Sequence, residues 1–326
     1  MFGNTKGKRH WMAALAVLGL AAAGEADAAD FPSKPVTIVV PFTPGGPTDL
    51  GTRAMADGLS KLWGQTVVVE NKAGAGTMIG INDVAKAKPD GYTLGCFTNS
   101  FLTNPAVRTK IPYDTFKDLT GVSMILESPT AIAVGPNVPA KNLAELIEYA
   151  KKSPTPLTFG TPGLASGGHI SGELLQTQAG IKLRHIPFNG STQAMQDVIG
   201  GRVDMIVATW TDIRPFIESK QATPIAQLGP KRLEEAPDVA TAGETLKGFN
   251  ERGYTGILAP SGVPKEIVDK IAADIKTVAA MPEYVQRLKQ VGNFAWTTTP
   301  AETNAFWKSE FEKMDKIAKA QNIKLD

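Results

Sequence analysis

The chain alternates. Short runs rich in β-branched and apolar residues recur as VTIVV (36–40), TVVVE (66–70), YTLGCF (92–97), TAIAVG (130–135), LTFG (157–160), LRHIPF (183–188), DMIVA (204–208) and PIAQL (224–228). Between most of them apolar residues fall at helical spacing, over about 49–62, 79–87, 142–152, 167–179, 191–200 and 211–219. In NLAELIEYAKK, Leu143, Leu146, Ile147 and Ala150 share one helical face. Strands that alternate with helices call for parallel sheets covered by helices, because a parallel return needs a crossover. The expected class is α/β. After Gly256 the pattern becomes GILAP and then mostly helix, in three segments that each carry a proline near the first turn.

The first residues read differently. Lys6, Lys8 and Arg9 precede a short apolar run from Trp11 to Ala23, followed by Ala26-Asp27-Ala28. That is the layout of a secretory signal peptide cleaved after about Ala28, and the run is shorter than the ~20 apolar residues a membrane span needs. No cysteine stands at the cleavage site, so a soluble exported, periplasmic protein without direct membrane insertion is expected. What remains suits two domains at roughly 150 residues each. Over the whole chain 34 Lys+Arg stand against 32 Asp+Glu, and this balance gives no bulk attraction to nucleic acid or an anionic membrane surface. Cys96 is the single cysteine; no intrachain disulfide can form, and its apolar run marks it as a small buried hydrophobe.

Four strand-like runs open into unusual loops: PFTPGGPTD (41–49), NKAGAGTMIG (71–80), GTPGLASGGH (160–169) and NGSTQ (189–193). In open α/β sheets ligands bind beyond the carboxyl ends of strands, and helix N-termini there offer free N–H groups to an anion. Glycine lets the backbone come close, while Thr48, Thr77, Ser166, Ser191 and Thr192 add hydroxyl donors. The combination suits a carboxylate. Gly-Pro turns are also ordinary punctuation, and Thr48 or Asp49 serves equally as a plain N-cap. VVPFTPGG and TFGTPGLASGG echo each other: strand, Thr-Pro-Gly, small residues, helix. Two facing lobes would have such an echo.

Catalytic readings find less support. GAGTMIG approaches a dinucleotide fingerprint, but the following strand ends in Thr98-Asn99 and supplies no acid for a ribose. PFTPGGPTD lacks the lysine of a phosphate loop, and no G-x-S-x-G elbow occurs. Beyond the leader only His169 and His185 remain; His185 reads as structural, His169 as a pocket candidate, and neither forms a metal site. No cofactor and no metal are expected.

The ordered set PSKPVTIVVPFTPGGPTD, VVVENKAGAGTMIG, KPDGYTL, GTPGLASGGH, HIPFNGSTQAMQDVIGGRVDM, APDVATAGE and GILAPSGVPKEIV resembles, end to end, the Bug family of periplasmic solute receptors of tripartite tricarboxylate transport systems. The resemblance implies a two-lobed, type II-like periplasmic-binding fold that closes like a flytrap, each lobe a mostly parallel sheet flanked by helices. It implies a discontinuous first lobe (29–127 and 254–326), a second lobe (128–253), crossings near 125–130 and 250–256, and a monomer. The ligand is a small carboxylate held by amides and hydroxyls without catalysis, and the partners are the membrane components of the transporter. By motif position the first-lobe contacts are Phe42, Thr43, Gly46, Thr48 and Asp49; Ala75, Gly76, Thr77 and Met78; and Thr98, Asn99 and Ser100. The second-lobe contacts are Gly163, Ala165, Ser166 and His169; Asn189, Gly190 and Thr192; and Asp204, Thr209 and Trp210.

The chain departs from the family in places. Ala73 stands where proline is frequent, and Thr77 where a further glycine is common. Phe188-Asn189-Gly190 replaces a Tyr-Lys-Gly pattern, which implies a less charged or more apolar distal end on the ligand. An exported α/β hydrolase or transferase, and a receptor that signals to a membrane sensor, are the alternative readings.

Overall fold

The structure is a computed structural model and describes residues 31–164, 166–320 and 323–324. The expected signal peptide, residues 1–28, lies outside them. The chain first builds β1 (Val36–Val40), α1 (Pro47–Trp63), β2 (Val67–Asn71), a short 3-10 turn (Ala75–Thr77), α2 (Met78–Ala85), β3 (Thr93–Thr98), α3 (Asn99–Val107) and β4 (Leu119–Ser128). It crosses through Pro129 and continues as β5 (Thr130–Val134), α4 (Leu143–Lys152), β6 (Leu157–Thr161), α5 (Gly167–Ala179), β7 (Leu183–Pro187), α6 (Ser191–Ile199), β8 (Met205–Thr209), α7 (Trp210–Glu218), β9 (Thr223–Gln227) and α8 (Ala242–Thr245). The last stretch is β10 (Gly253–Pro260), α9 (Lys265–Ala279), α10 (Pro282–Gln290), β11 (Phe294–Ala295) and α11 (Pro300–Ala320).

Two sheets result. One has the order β11-β4-β10-β3-β1-β2, the other β7-β6-β8-β5-β9. β1, β2 and β3 are parallel, β10 runs against β3 and β4 against β10, so β4 points the same way as β1. The second sheet repeats this plan: β6, β7 and β8 are parallel, β5 runs against β8, and β9 against β5. Each sheet therefore has one internal reversed strand next to a crossing, β10 in the first and β5 in the second. With these matched, β1, β2 and β3 correspond to β6, β7 and β8. The echo between PFTPGG and GTPGLASGG falls on equivalent loops, after β1 and after β6.

Both faces of each sheet are covered, which is why the strands read as continuous apolar runs. Along β1, Ile38 and Val40 join the core under α1 and α9, while Val39 joins the opposite core with Ile81, Phe97 and Trp307. Along β8, Met205 and Val207 face one way, Ile206 and Ala208 the other. Burying each such side chain contributes about 1.5–3 kcal/mol. Cys96 is fully buried in β3, and burial pushes its thiol up to about 12. The terminal helix belongs to both halves. Trp307 packs on the first sheet, while Met314 and Ile317 lie in the core of the second. Its Lys313 pairs with Glu310 (2.6 Å) and with the buried Glu251 just ahead of β10.

Candidate functional site

The carboxyl ends of the parallel strands lie beside the crossings in both sheets. Thr98 at the end of β3 pairs with Thr255, two residues into β10. Thr209 at the end of β8 pairs with Thr130, two residues beyond the end of β4. The loops that follow these strands therefore face each other across the junction. They come into contact there: a Cβ on Gly167 would lie 3.6 Å from the Asn99 amide.

The loop after β1 is held open from behind. Pro47 starts α1 with its preset φ, and Gly46 is the N-cap without a side-chain cap bond. Asp49 is therefore not the cap. Only 2% exposed, it reaches back to accept from the Gly45 N–H (2.9 Å), Arg53 Nε (3.0 Å) and Asn71 Nδ2 (2.8 Å). Burial raises the Asp49 pKa, but the bonds from Arg53, Gly45 and Asn71 outweigh it and leave the carboxyl below its ordinary value. Asn71 also donates to the Phe42 carbonyl (3.1 Å), and Arg53 Nη2 to Asn71 Oδ1 (2.7 Å). A Cβ added at Gly45 or Gly46 would meet nothing within 4 Å, so the backbone there borders open space. Thr43 is exposed; Phe42, Gly46 and Thr48 are half-buried.

The loop after β2 is wound left-handed. Ala75 (φ 48°), Gly76 (φ 63°) and Thr77 (φ 83°) all lie in the region that favours glycine. A β-branched residue at φ 83° is strained, and this is the position where the family's pattern has a further glycine. Thr77 is buried, with Asn104 Nδ2 3.5 Å from its hydroxyl and 2.7 Å from the Gly76 carbonyl. Ala75 and Gly76 are exposed, and a Cβ on Gly76 would lie 3.7 Å from Arg108 Nη2. Two arginines thus flank these turns, beside Lys72, which pairs with Glu70 (3.4 Å) and Asp83 (3.0 Å). Arg53 is spoken for by Asp49 and Asn71, and Arg108 donates to Asn104 Oδ1 (3.2 Å). Asn71, Asn104 and both arginines were not singled out in the sequence; Asn71 ends β2, Arg53 lies within α1, Asn104 within α3, and Arg108 just beyond α3. After β3, Asn99 is buried and braces the return crossing, through the Arg252 carbonyl (3.3 Å) and the Tyr254 N–H (3.4 Å).

In the second half Ser166 caps α5, accepting from the His169 N–H (3.3 Å) and leaving its own proton free to donate. Gly163 and Ser166 are half-buried; Ala165 lies outside the described residues. Asn189 and Thr192 are exposed at the start of α6, Gly190 has φ 118°, and Ser191 donates to Asp212 on α7 (2.6 Å). Trp210 opens α7 with its indole N–H buried and without a hydrogen-bond partner among the described residues.

Two expected contacts lie elsewhere. Asp204 precedes β8, whereas the loops gather at its far end, about 17 Å away at 3.3 Å per residue. Its carboxylate takes the Thr158 N–H and hydroxyl, both at 2.7 Å. His169 turns inward, because Gly168 packs tightly on the Val207 carbonyl and sets that face of α5 against the sheet. Its ring stacks on His185 at 3.8 Å, beside Phe159, with Nε2 3.6 Å from Glu173. His185 bonds Thr161 Oγ1 (2.7 Å), and burial, with His169 adjacent, lowers it to about 3.

Two sheets of one plan, joined by two crossings, with loops and helix starts opposed across the junction, define a two-lobed solute-binding protein. The chain belongs to the family described as Tripartite tricarboxylate transporter family receptor (TctC), whose sequence profile matches residues 52–323. BugT of Bordetella pertussis is 30% identical over 95% of this chain and 96% of its own. Among solved structures, R. palustris Rpa4515 with adipate is 31% identical with a TM-score of 0.76, over 90% of this chain and 99% of that one. MatC from Rhodopseudomonas palustris with bound malate is 29% identical with a TM-score of 0.72, over 88% and 99%.

Proposed function

We propose that the chain is an extracytoplasmic receptor that holds a small carboxylate between its lobes and delivers it to the membrane components of a tripartite tricarboxylate transporter, without catalysis. The observation that carries this reading is the opposition of equivalent loops, in which Gly45, Gly46 and Gly190 border open space and whose helix N-termini carry no obligatory cation. Adipate and malate in the two R. palustris relatives support the ligand class. The first lobe is assigned to 29–127 and 254–326 and the second to 128–253, with α11 shared between their cores. Direct contacts are assigned to Phe42, Thr43, Gly46, Thr48, Ala75, Gly76, Met78, Thr98, Ser100, Gly163, Ser166, Asn189, Gly190, Thr192, Thr209 and Trp210. Asp49, Thr77 and Asn99 position the loops. The protein acts in the periplasm, after loss of the leader.

The test is native mass spectrometry of protein purified without refolding, followed by calorimetry with di-, tri- and aromatic carboxylates. A retained acid that rebinds with one-to-one stoichiometry is expected. Failure of every acid in the panel to bind would overturn the reading.

A further inference from the structure

A cavity lies behind the crossings, apart from the opposed loops. The candidate ligand loops follow β1–β3 and β6–β8, whereas this cavity is walled by the ends of β4 and β9, by α10 and by β11, which lie across β10 and β5 from those loops. Its volume is 420 Å³, within the range of small-molecule sites. Both halves of the molecule line it, so an occupant touches both.

The lining has a distinct chemistry. Lys231, Arg232, Arg252 and Lys289 are cationic, Glu127 and Glu234 acidic. Arg252 is paired with Glu127, and its guanidinium lies 4.1 Å over the Trp296 ring. Arg232 is held by Glu244 through two bonds of 2.8 and 2.6 Å. Lys231, from the loop after β9, and Lys289, from the last turn of α10, have no ion pair among the described residues. Glu234 offsets one of them, which leaves a surplus of one positive charge. Val285, Phe294 and Leu233 supply an apolar wall. A site with one spare cation, an apolar wall and this volume fits a small organic monoanion with an apolar body.

We propose that this cavity is a second ligand site, for a monocarboxylate carrying an aromatic or aliphatic group. Its carboxylate sits between Lys231 and Lys289 and its body lies on Phe294 and Val285. Lys231 and Lys289 are exposed, so changing them leaves the fold intact. The probe is benzoate, titrated by calorimetry into the full-length mature protein. The expected result is uptake that weakens at least tenfold in the double variant Lys231→Glu/Lys289→Glu, and equally in Val285→Trp, which fills the cavity without altering its charge. Ser166→Ala leaves it unchanged. Benzamide and inorganic phosphate each bind at least tenfold more weakly, the first lacking the charge and the second the apolar body. Benzoate binding that survives the double variant, or that falls with Ser166→Ala instead, overturns the proposal. The second of these outcomes would place benzoate between the opposed loops, so failure here is separable from failure of the receptor assignment.

Discussion

At the scale of single residues, the loop after β1 depends on a carboxylate that the ligand need not touch. Asp49 is buried and accepts from three donors in three different segments. Asp49→Ala leaves the Gly45 N–H and the Asn71 amide without that acceptor, a loss on the order of 2 kcal/mol given that Arg53 is partly solvated. Urea denaturation checks this, and calorimetry should show weaker ligand binding as Gly45 and Gly46 lose their fixed placement. Thr77 gives a sharper test, because its φ of 83° reverses an ordinary preference. At most positions alanine is more stable than glycine by roughly 0.5–1 kcal/mol. Here the left-handed backbone costs an L-residue roughly 1–2 kcal/mol, so Thr77→Gly should be more stable than Thr77→Ala by about 1 kcal/mol. If alanine proves the more stable of the two in urea, Thr77 is not strained.

At the scale of elements, the helix starts carry the binding argument. Ser166 has two tasks, capping α5 and offering its proton outward, whereas Thr192 is exposed on α6 and its hydroxyl has no hydrogen bond among the described residues. Ser166→Ala should therefore cost about 1 kcal/mol of stability as well as affinity. Thr192→Val should cost affinity alone. Neutral donors to a charged acceptor contribute roughly 1.5–3 kcal/mol each. Exposed charges are screened beyond about 8 Å at physiological ionic strength, while donors inside a closed cleft are not. The dissociation constant should change little between low and high salt, and the amide of the cognate acid should not bind, because its nitrogen would set donor against donor. Steep salt dependence in calorimetry would mean that Arg53 or Arg108 carries the ligand instead.

The same elements show how far the sequence was legible. β1 matches its apolar run residue for residue, and α5 matches its helical run in full. Missing were β4, α3, β11 and the four-residue α8. β4 is buried on both faces over most of its length and contains Gly121 and Ser123, so it shows neither alternation nor an unbroken β-branched run. α3 is buried nearly all round and contains Pro105, so it has no polar face to reveal a period. β11 has only two residues. Asp204 looked like a ligand contact by its place in a motif, yet it stands on the wrong end of its strand; motif position does not say which end of β8 opens on the loops. His169 follows a glycine-rich turn, but the direction of its side chain is set by Gly168 packing on β8, a tertiary contact.

At the scale of the whole molecule, a half-buried histidine and a buried glutamate in different places pull stability in opposite directions with pH. His185, under α5, is lowered to about 3 by burial and by His169 beside it. Its unfolded counterpart titrates near 6.5, so between those values the unfolded state holds the extra proton and stability rises with pH. Glu251 leads into β10 and meets Lys313 of the shared helix α11; burial raises it to about 7. Between the ordinary carboxylate value and 7 the folded state holds the extra proton, so stability falls as pH rises. Each one-proton difference is worth at most about 1.4 kcal/mol per pH unit, and over roughly pH 4.5–6.5 the two slopes oppose each other. The wild-type protein should therefore lie between two single variants in the slope of its unfolding free energy across that window. Glu251→Gln, which keeps a neutral side chain of the same shape, should uncover the His185 slope, with stability climbing from pH 5 to 6.5. His185→Gln should uncover the opposite slope, with stability dropping over the same range as Glu251 ionises at the junction of β10 and α11. Urea denaturation of the three proteins at pH 5 and 6.5 decides it. Parallel pH profiles in all three would show that neither group is held away from its ordinary pKa by the fold.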